Sequence, residues 1–238
     1  MHPSRNTAIQ LFVFTLLGLL LVSPLVAQDV RLHVLAATGT AAEVDAALKN
    51  GADFNDRDVA GVTALMAAAG NNHDARVIPV LLQYGAVVDA RDTNGETALM
   101  HAAERNGDPA VIAALLKGGA GLETHDRLGR TPLIYAAKCN PSLDVTTALL
   151  TAGANANARD SYGMSALLYA VWVGRNTAIA SALLAAGADA KARGTAGRTV
   201  LEYAEDNPVL MKDTEVLHQL QDAMKGANES AERRQVRS

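Results

Sequence analysis

Apolar and small residues recur along this chain at a fixed spacing of 34 residues. The first of these columns consists of Gly61, Gly95, Gly129, Gly163 and Gly197. The second column consists of Gly51, Gly85, Gly119, Gly153 and Gly187, each followed by Ala. A leucine column at the same spacing consists of Leu65, Leu99, Leu133, Leu167 and Leu201. A constant period between 20 and 50 residues is typical of a solenoid of stacked supersecondary units.

Each repeat predicts a tight turn followed by two helices. In the repeat that begins at Asp126, Gly129 can adopt the positive φ that a tight turn needs, and Thr131 is a helix-capping residue. Pro132 then occupies the first helical position, where its missing N–H costs nothing. The second helices are predicted to begin at the caps Asp74, Asp108, Ser142 and Asn176. They end at the second glycine column, which suits a left-handed C-cap.

The motifs of these repeats resemble the ankyrin-repeat family. Residues 129–138, GRTPLIYAAK, are similar to the opening helix of that family, and residues 149–160, LLTAGANANARD, are similar to its second helix and finger. The resemblance covers residues 30–225 and implies an all-α solenoid of about six helix-turn-helix units with finger turns. The residues after the solenoid, at 226–238, are polar and are predicted to be disordered.

Two departures from the family pattern have consequences. The period is 34 residues rather than the usual 33. The histidine that usually follows the repeated leucine is present only at His33 and is replaced in the later units by Met66, Met100, Ile134, Leu168 and Glu202. Because that histidine normally contributes hydrogen bonds between loops, we expect the contacts between units to be more purely apolar here.

The N-terminal segment has the three parts of a secretory signal peptide. Arg5 provides a basic start, residues 8–22 are mostly apolar, and Ala27 is a small residue before a polar pair. We predict cleavage after Ala27, which gives a signal peptide at 1–27 and an ankyrin-repeat domain at 28–225. The alternative is an uncleaved membrane anchor, which Pro24 and the polar insertions argue against.

Composition agrees with this fold and excludes several functional classes. Hydrophobic residues make up 49% of the chain and aromatic residues only 4%, which suits closely stacked helices built from Ala and Leu. A formal net charge of −4 argues against nucleic-acid binding, which normally requires a basic surface. The chain has one cysteine, so an intramolecular disulfide framework and a multi-cysteine metal site are excluded.

No pattern typical of a catalytic, metal or cofactor site is present, and we expect none of these. The histidines lie in different units without metal-site spacing, and His101 is predicted to have an ordinary polar surface role. The aspartates that precede each finger are interpreted as turn formers: Asp58, Asp92, Asp126 and Asp160. Cys139, late in a first helix, is either a reactive thiol or a small side chain without a role.

The family resemblance implies that a partner protein binds at the finger tips and at the ends of the first helices. Carried over by position, the candidate partner-binding residues are Glu96, Arg105, Arg130, Lys138, Tyr162 and Trp172. The two aromatic residues occupy positions that vary between units, and exposed aromatics are enriched at interfaces. The tyrosines repeated on successive first helices are interpreted as packing between units, with an aromatic stripe along a binding groove as the alternative: Tyr135, Tyr169 and Tyr203.

The expected protein is therefore an exported, monomeric ankyrin-repeat protein without catalytic activity. We expect it to be bacterial and periplasmic, and to bind and inhibit or protect an envelope protein. The alternatives are a redox-linked or stress-protective protein that uses Cys139, an enzyme with an unrecognised site, and a structural envelope protein. The alternatives to a periplasmic location are that the protein is secreted from the cell, or that an uncleaved signal anchors it in the inner membrane.

Overall fold

A computed structural model of the protein describes residues 31–235, so the predicted signal peptide at 1–27 lies outside the described residues. Two short 3-10 helices, Thr195–Gly197 and Leu210–Lys212, accompany the α-helices in this range. The α-helices are α1 (Leu32–Thr38), α2 (Ala41–Lys49), α3 (Ala64–Asn71), α4 (Val77–Gln83), α5 (Ala98–Arg105), α6 (Pro109–Lys117), α7 (Pro132–Cys139), α8 (Leu143–Thr151), α9 (Ala166–Trp172), α10 (Thr177–Ala185), α11 (Val200–Ala204) and α12 (Thr214–Gln235).

Consecutive helices pack in pairs, and we call these pairs units one to six. The odd-numbered helices α1 to α11 stack on one another in one layer. The even-numbered helices α2 to α12 stack on one another in a second layer. The predicted all-α solenoid is confirmed. Leucines of the repeated column, such as Leu99 and Leu133, are fully buried between the units.

The capping pattern of the first helices follows the sequence. Thr63, Thr131, Ser165 and Thr199 each accept a hydrogen bond from the backbone N–H three residues on. Thr97 lies at the same position before α5, although its hydroxyl makes no capping bond. These residues therefore set where the first helices begin.

The second helices begin as predicted in three units, where Asp108, Ser142 and Asn176 act as caps. In unit two, the cap predicted at Asp74 is wrong, because α4 begins only at Val77. Pro79 explains the delay. With the later start it lies in the first turn, where a missing N–H leaves no hydrogen bond unmade.

Glycine is required at the finger turns. Gly95 has a φ of 83°, and a Cβ atom there would lie 3.1 Å from the backbone nitrogen of Arg127 in the next finger. The position therefore demands both a left-handed backbone and the close approach of two fingers. Gly119 after α6, with a φ of 90°, confirms the predicted left-handed C-cap.

The last helix is longer than the sequence predicts. Helix α12 continues through residues 226–235, which the sequence predicts to be disordered. This segment contains no proline and is rich in Ala, Glu, Arg and Gln, which are strong helix formers. Its helix propensity therefore carries α12 past the end of the packed units.

Hydrogen bonds from buried asparagines link the units, so the expectation of more purely apolar contacts is wrong. Asn72, Asn106 and Asn140 directly follow the first helices of units two, three and four, and all three are buried. Each side-chain amide donates to two backbone carbonyls of the preceding unit. Asn106, for example, donates to Ala69 at 3.0 Å and to Asn72 at 2.9 Å. Buried amides therefore provide polar links between units, at a position after the first helix.

Unit five interrupts this asparagine column. Gly174 lies 34 residues after Asn140 and has no side chain to donate. A bond at a solvent-accessible position links unit five to unit four instead, from the Asn176 amide to the carbonyl of Pro141 at 2.9 Å. The buried arrangement returns in unit six, where Asn207 donates to two carbonyls of unit five.

Candidate partner-binding surface

Three tyrosines on α7, α9 and α11 form the interior of the first-helix layer. Tyr135, Tyr169 and Tyr203 are 2%, 5% and 3% exposed, as their interpretation as packing residues predicts. The Tyr169 hydroxyl donates to Asp160 at 2.7 Å. The Tyr135 hydroxyl lies within hydrogen-bonding distance of two carboxylates and has one proton to share between them.

Burial and neighbouring carboxylates make these phenols poor acids. Burial is the larger cause that raises the pKa of Tyr135, followed by its hydrogen bonds to Glu96 at 2.6 Å and Asp126 at 2.9 Å. Burial followed by the bond to Asp160 likewise raises the pKa of Tyr169. Both tyrosines are therefore held in the neutral, hydrogen-bond-donating form.

Trp172 lies at the last position of α9 and is 40% exposed. Its ring stacks on Tyr169, with centroids 6.5 Å apart and an interplanar angle of 23°, and it lies 5.5 Å from the ring of Tyr203. We call these three residues the aromatic cluster. Packing against two buried rings fixes an exposed indole in place, and aromatic pairs of this geometry are attractive.

Cationic side chains lie at both ends of the aromatic cluster. The Lys138 ammonium is 5.3 Å from the centroid of the Tyr169 ring, and the Arg198 guanidinium is 4.5 Å from that of Tyr203. These distances are within the range of cation–π attraction. The surface therefore combines a fixed aromatic residue with positive charge.

The predicted aromatic candidates are both exposed. Tyr162, on the finger of unit five, is 56% exposed, and its backbone N–H donates at 2.9 Å to Asp160, the same carboxylate that accepts the Tyr169 hydroxyl. The fold thus brings Tyr162, Trp172 and Lys138 together around one buried tyrosine. They come from a finger and from the ends of two first helices.

Arg105 lies at the exposed end of α5, where its guanidinium pairs with Glu104 at 2.8 Å. Cys139 lies at the corresponding end of α7 and is exposed. Partial desolvation of the thiol, followed by the charge of Glu104, raises its pKa despite the opposing effect of Lys138 and other cations. Because the thiolate is the reactive form, this environment disfavours the reactive-thiol alternative.

Two of the predicted partner-binding residues instead stabilise the interior. Glu96 is buried, with 8% exposure, and accepts the hydroxyl of Tyr135 from the next unit, so its assignment to the binding surface is wrong. Arg130 lies over the Tyr135 ring and pairs with Asp126 at 2.6 Å, with its side chain only 16% exposed. One feature of the sequence points to the contact between Glu96 and Tyr135, because the two residues lie in consecutive units.

The same interior contains a histidine that the sequence placed on the surface. His101 occupies the position of Tyr135 and Tyr169 in its own unit and is 4% exposed. Its Nε2 atom lies 3.1 Å from Asp92 and 3.7 Å from Glu96. The predicted polar surface role is therefore wrong. The missed signal is the shared column, since His101, Tyr135 and Tyr169 each contact the aspartate of their own finger.

Comparison with protein families agrees with this architecture. The family model described as ankyrin repeats (3 copies) matches residues 32–126 and 101–194, which together span more than half of the chain. The chain belongs to the ankyrin-repeat family. Ankyrin repeats generally mediate protein–protein interaction and are typically scaffolds without enzymatic activity. A search among curated proteins finds no match.

None of the described helices could cross a membrane. Between residues 31 and 235, no helix combines the length and the apolar character that crossing a membrane requires. The apolar N-terminal segment, on which the predicted export depends, lies outside this range.

Proposed function

We propose that this ankyrin-repeat protein binds a partner protein through the aromatic cluster, with Tyr162 and Lys138 at its edge. Trp172 is the observation that carries the proposal. Its indole is 40% exposed, yet two buried tyrosines hold it in a single position. An aromatic side chain that is already ordered loses little entropy on binding, and tryptophan and tyrosine are enriched among the residues that dominate interface energies.

The charge around the cluster supports a partner of acidic or mixed character. Lys138 and Arg198 lie at its two ends, and the exposed Arg105 lies further along the first-helix layer. Arg105 and Arg198 are each paired with an acidic side chain, so Lys138 is the cation best placed to contact an incoming carboxylate. Positive charge at the rim would steer and orient such a partner.

The biological setting is proposed from the N-terminal sequence. A signal peptide at 1–27 would export the chain to the periplasm of a bacterium, where it would act as a monomer. There it would bind an envelope protein and inhibit or protect it, without chemistry of its own. Secretion, or retention at the inner membrane by an uncleaved signal, are the alternative locations.

The test is capture of partners by the full chain from the exported fraction of the source cell, with identification of the bound proteins. The affinity for the captured partner is then compared between the wild type and the double variant Trp172→Ala/Tyr162→Ala. We expect the double variant to bind at least about 30-fold more weakly, because a hot-spot residue contributes roughly 2 kcal/mol or more.

Val59→Ala is the matched control, since Val59 is an apolar residue that is 99% exposed on a finger far along the chain from the cluster. It should bind as the wild type does. Circular dichroism should show that all variants are folded. Full-affinity binding by the folded double variant would refute the proposed surface.

A further inference from the structure

The side chains of Asp92, Glu96 and His101 are largely shielded from solvent and form a group that the proposed partner surface does not use. One imidazole nitrogen and one oxygen from each carboxylate lie within 4.8 Å of one another. The two distances from His101 Nε2 are 3.1 Å to Asp92 Oδ2 and 3.7 Å to Glu96 Oε2. Within the described part of the chain, no other group of three such side chains is this close.

Both carboxylates are oriented by a hydrogen bond to one oxygen, which leaves the other directed towards the imidazole. Asp92 Oδ1 accepts the backbone N–H groups of Asn94 and Glu96, at 2.8 Å and 2.9 Å. Glu96 Oε1 accepts the hydroxyl of Tyr135 at 2.6 Å. Outer hydrogen bonds of this kind position the ligands in metal sites.

Comparison between units shows that this combination belongs to unit three. The corresponding residues are Asp58, Val62 and Ala67 in unit two; Asp126, Arg130 and Tyr135 in unit four; and Asp160, Met164 and Tyr169 in unit five. In units four and five a tyrosine hydroxyl donates to the aspartate. Unit three replaces that tyrosine with a histidine and adds a second carboxylate, so within the described residues three potential metal ligands meet in this unit alone.

We propose that Asp92 Oδ2, Glu96 Oε2 and His101 Nε2 bind a divalent transition-metal ion of the zinc class. Zinc binds nitrogen and carboxylate oxygen at about 2.0–2.2 Å in tetrahedral geometry, which places neighbouring ligand atoms about 3.3–3.6 Å apart. The distances from His101 Nε2, 3.1 Å and 3.7 Å, lie close to this range, and the two carboxylate oxygens lie within 4.8 Å of each other. Two carboxylates neutralise the charge of a dication, and the fourth position is left for water.

The ion would join two parts of unit three. Asp92 and Glu96 belong to the finger, whereas His101 is on α5. The bond from Tyr135 to Glu96 extends the connection to unit four. A bound metal would therefore stabilise the folded solenoid, since it binds the native arrangement and not the separated ligands.

The test is calorimetric titration of the metal-free full chain with Zn²⁺, and with Mg²⁺ in parallel. We expect one equivalent of Zn²⁺ to bind, with much weaker binding of Mg²⁺, and the melting temperature to rise with Zn²⁺. His101→Tyr removes the nitrogen ligand while reproducing the residue found in units four and five, so it should fold. Its Zn²⁺ affinity should be lower by more than roughly 100-fold, the upper range for loss of an outer-shell partner.

His125→Ala is the matched control, because His125 is an exposed histidine in the same unit. It should bind Zn²⁺ as the wild type does. Glu96→Gln provides a second test, because it removes charge while keeping an oxygen for Tyr135, and it should bind at least about 10-fold more weakly. The proposal is overturned if the wild type binds no equivalent of Zn²⁺, if Glu96→Gln and His101→Tyr retain full affinity, or if His125→Ala abolishes binding.

Discussion

Units four and five have the same two-helix plan but end their first helices differently. Helix α7 ends at Cys139, and the buried Asn140 that follows donates to two carbonyls of unit three. Helix α9 ends one position earlier in the repeat, at Trp172, and Gly174 replaces the asparagine. The residue after the first helix therefore links units in unit four, whereas in unit five that link is missing and an aromatic side chain is exposed two positions before it.

The difference between the helix ends of units four and five shows how a repeat protein acquires a distinct surface. Unit five lacks the two buried amide bonds of unit four, and both Trp172 and Val173 are about 40% exposed at its helix end. A solenoid distributes its stability over many similar interfaces, so one unit can lose a link while its neighbours keep theirs. The departure from the period thus marks the position that we propose for partner binding.

Removing the asparagine link from unit four should have the largest effect on stability. Asn140→Ala leaves the buried carbonyls of Ala103 and Asn106 without this donor, and we expect the free energy of unfolding to fall by about 3 kcal/mol. Urea denaturation followed by circular dichroism measures it. Asn176→Ala removes the solvent-accessible link of unit five together with the N-cap bond of α10, and it should cost less, about 1–2 kcal/mol. Equal losses would remove the distinction between the two units.

Adding a methyl group at Gly174 should have the next largest effect. A Cβ atom there would lie 2.1 Å from the carbonyl oxygen of Ala170, so Gly174→Ala should destabilise the protein by about 2 kcal/mol. Gly107→Ala is the control in unit three, since a Cβ atom at Gly107 meets nothing within 4 Å. It should change stability by less than about 0.5 kcal/mol. If thermal and urea unfolding show the same loss of stability for Gly174→Ala and Gly107→Ala, then the close contact with Ala170 is not the reason for glycine at position 174.

The smallest effect concerns a feature that the two units share. The pKa values of Tyr135 and Tyr169 are raised, chiefly by burial, so their phenols stay protonated at a pH where those of the unfolded chain ionise. Their contribution to the free energy of unfolding is complete below about pH 10. Above that pH it declines by about 1.4 kcal/mol for each tyrosine per pH unit.

Urea unfolding at pH 8 and pH 11 tests this. Between pH 8 and pH 11, the free energy of unfolding of Tyr135→Phe and of Tyr169→Phe should each fall by about 1.4 kcal/mol less than that of the wild type. Tyr162→Phe, at an exposed position, serves as the control and should follow the wild type. A response in only one of the buried tyrosines would show that units four and five differ in their interiors as well as at their helix ends.

The fold was predictable because each repeat carries its own local signals. Thr131 and Pro132 set the start of a helix, and glycines at fixed positions allow the turns, so the same short-range argument applies in every unit. It failed at Asp74, where Pro79 delays the helix, and at residues 226–235, where helix propensity extends α12. Both failures concern boundaries, which depend on small differences in local free energy.

The candidate surface was less predictable from position alone. Tyr162 and Trp172 are exposed, as their departure from the period suggested. Glu96 has an equally variable position and is buried, because Tyr135 of the next unit reaches it. Single positions cannot show such contacts, since the two residues are 39 apart in the chain.

What the sequence determined by itself is the solenoid: its period, its capping residues and its glycine turns, all of which depend on interactions within a few residues. Which polar side chains face inward depends on the tertiary structure. Asp92, Glu96 and His101 converge because a finger folds back over its own helix, and Trp172 is held because units five and six bring two tyrosines beside it. The first set of contacts depends on how a finger folds onto its helix and the second on how units stack, and a local pattern specifies neither set of distances.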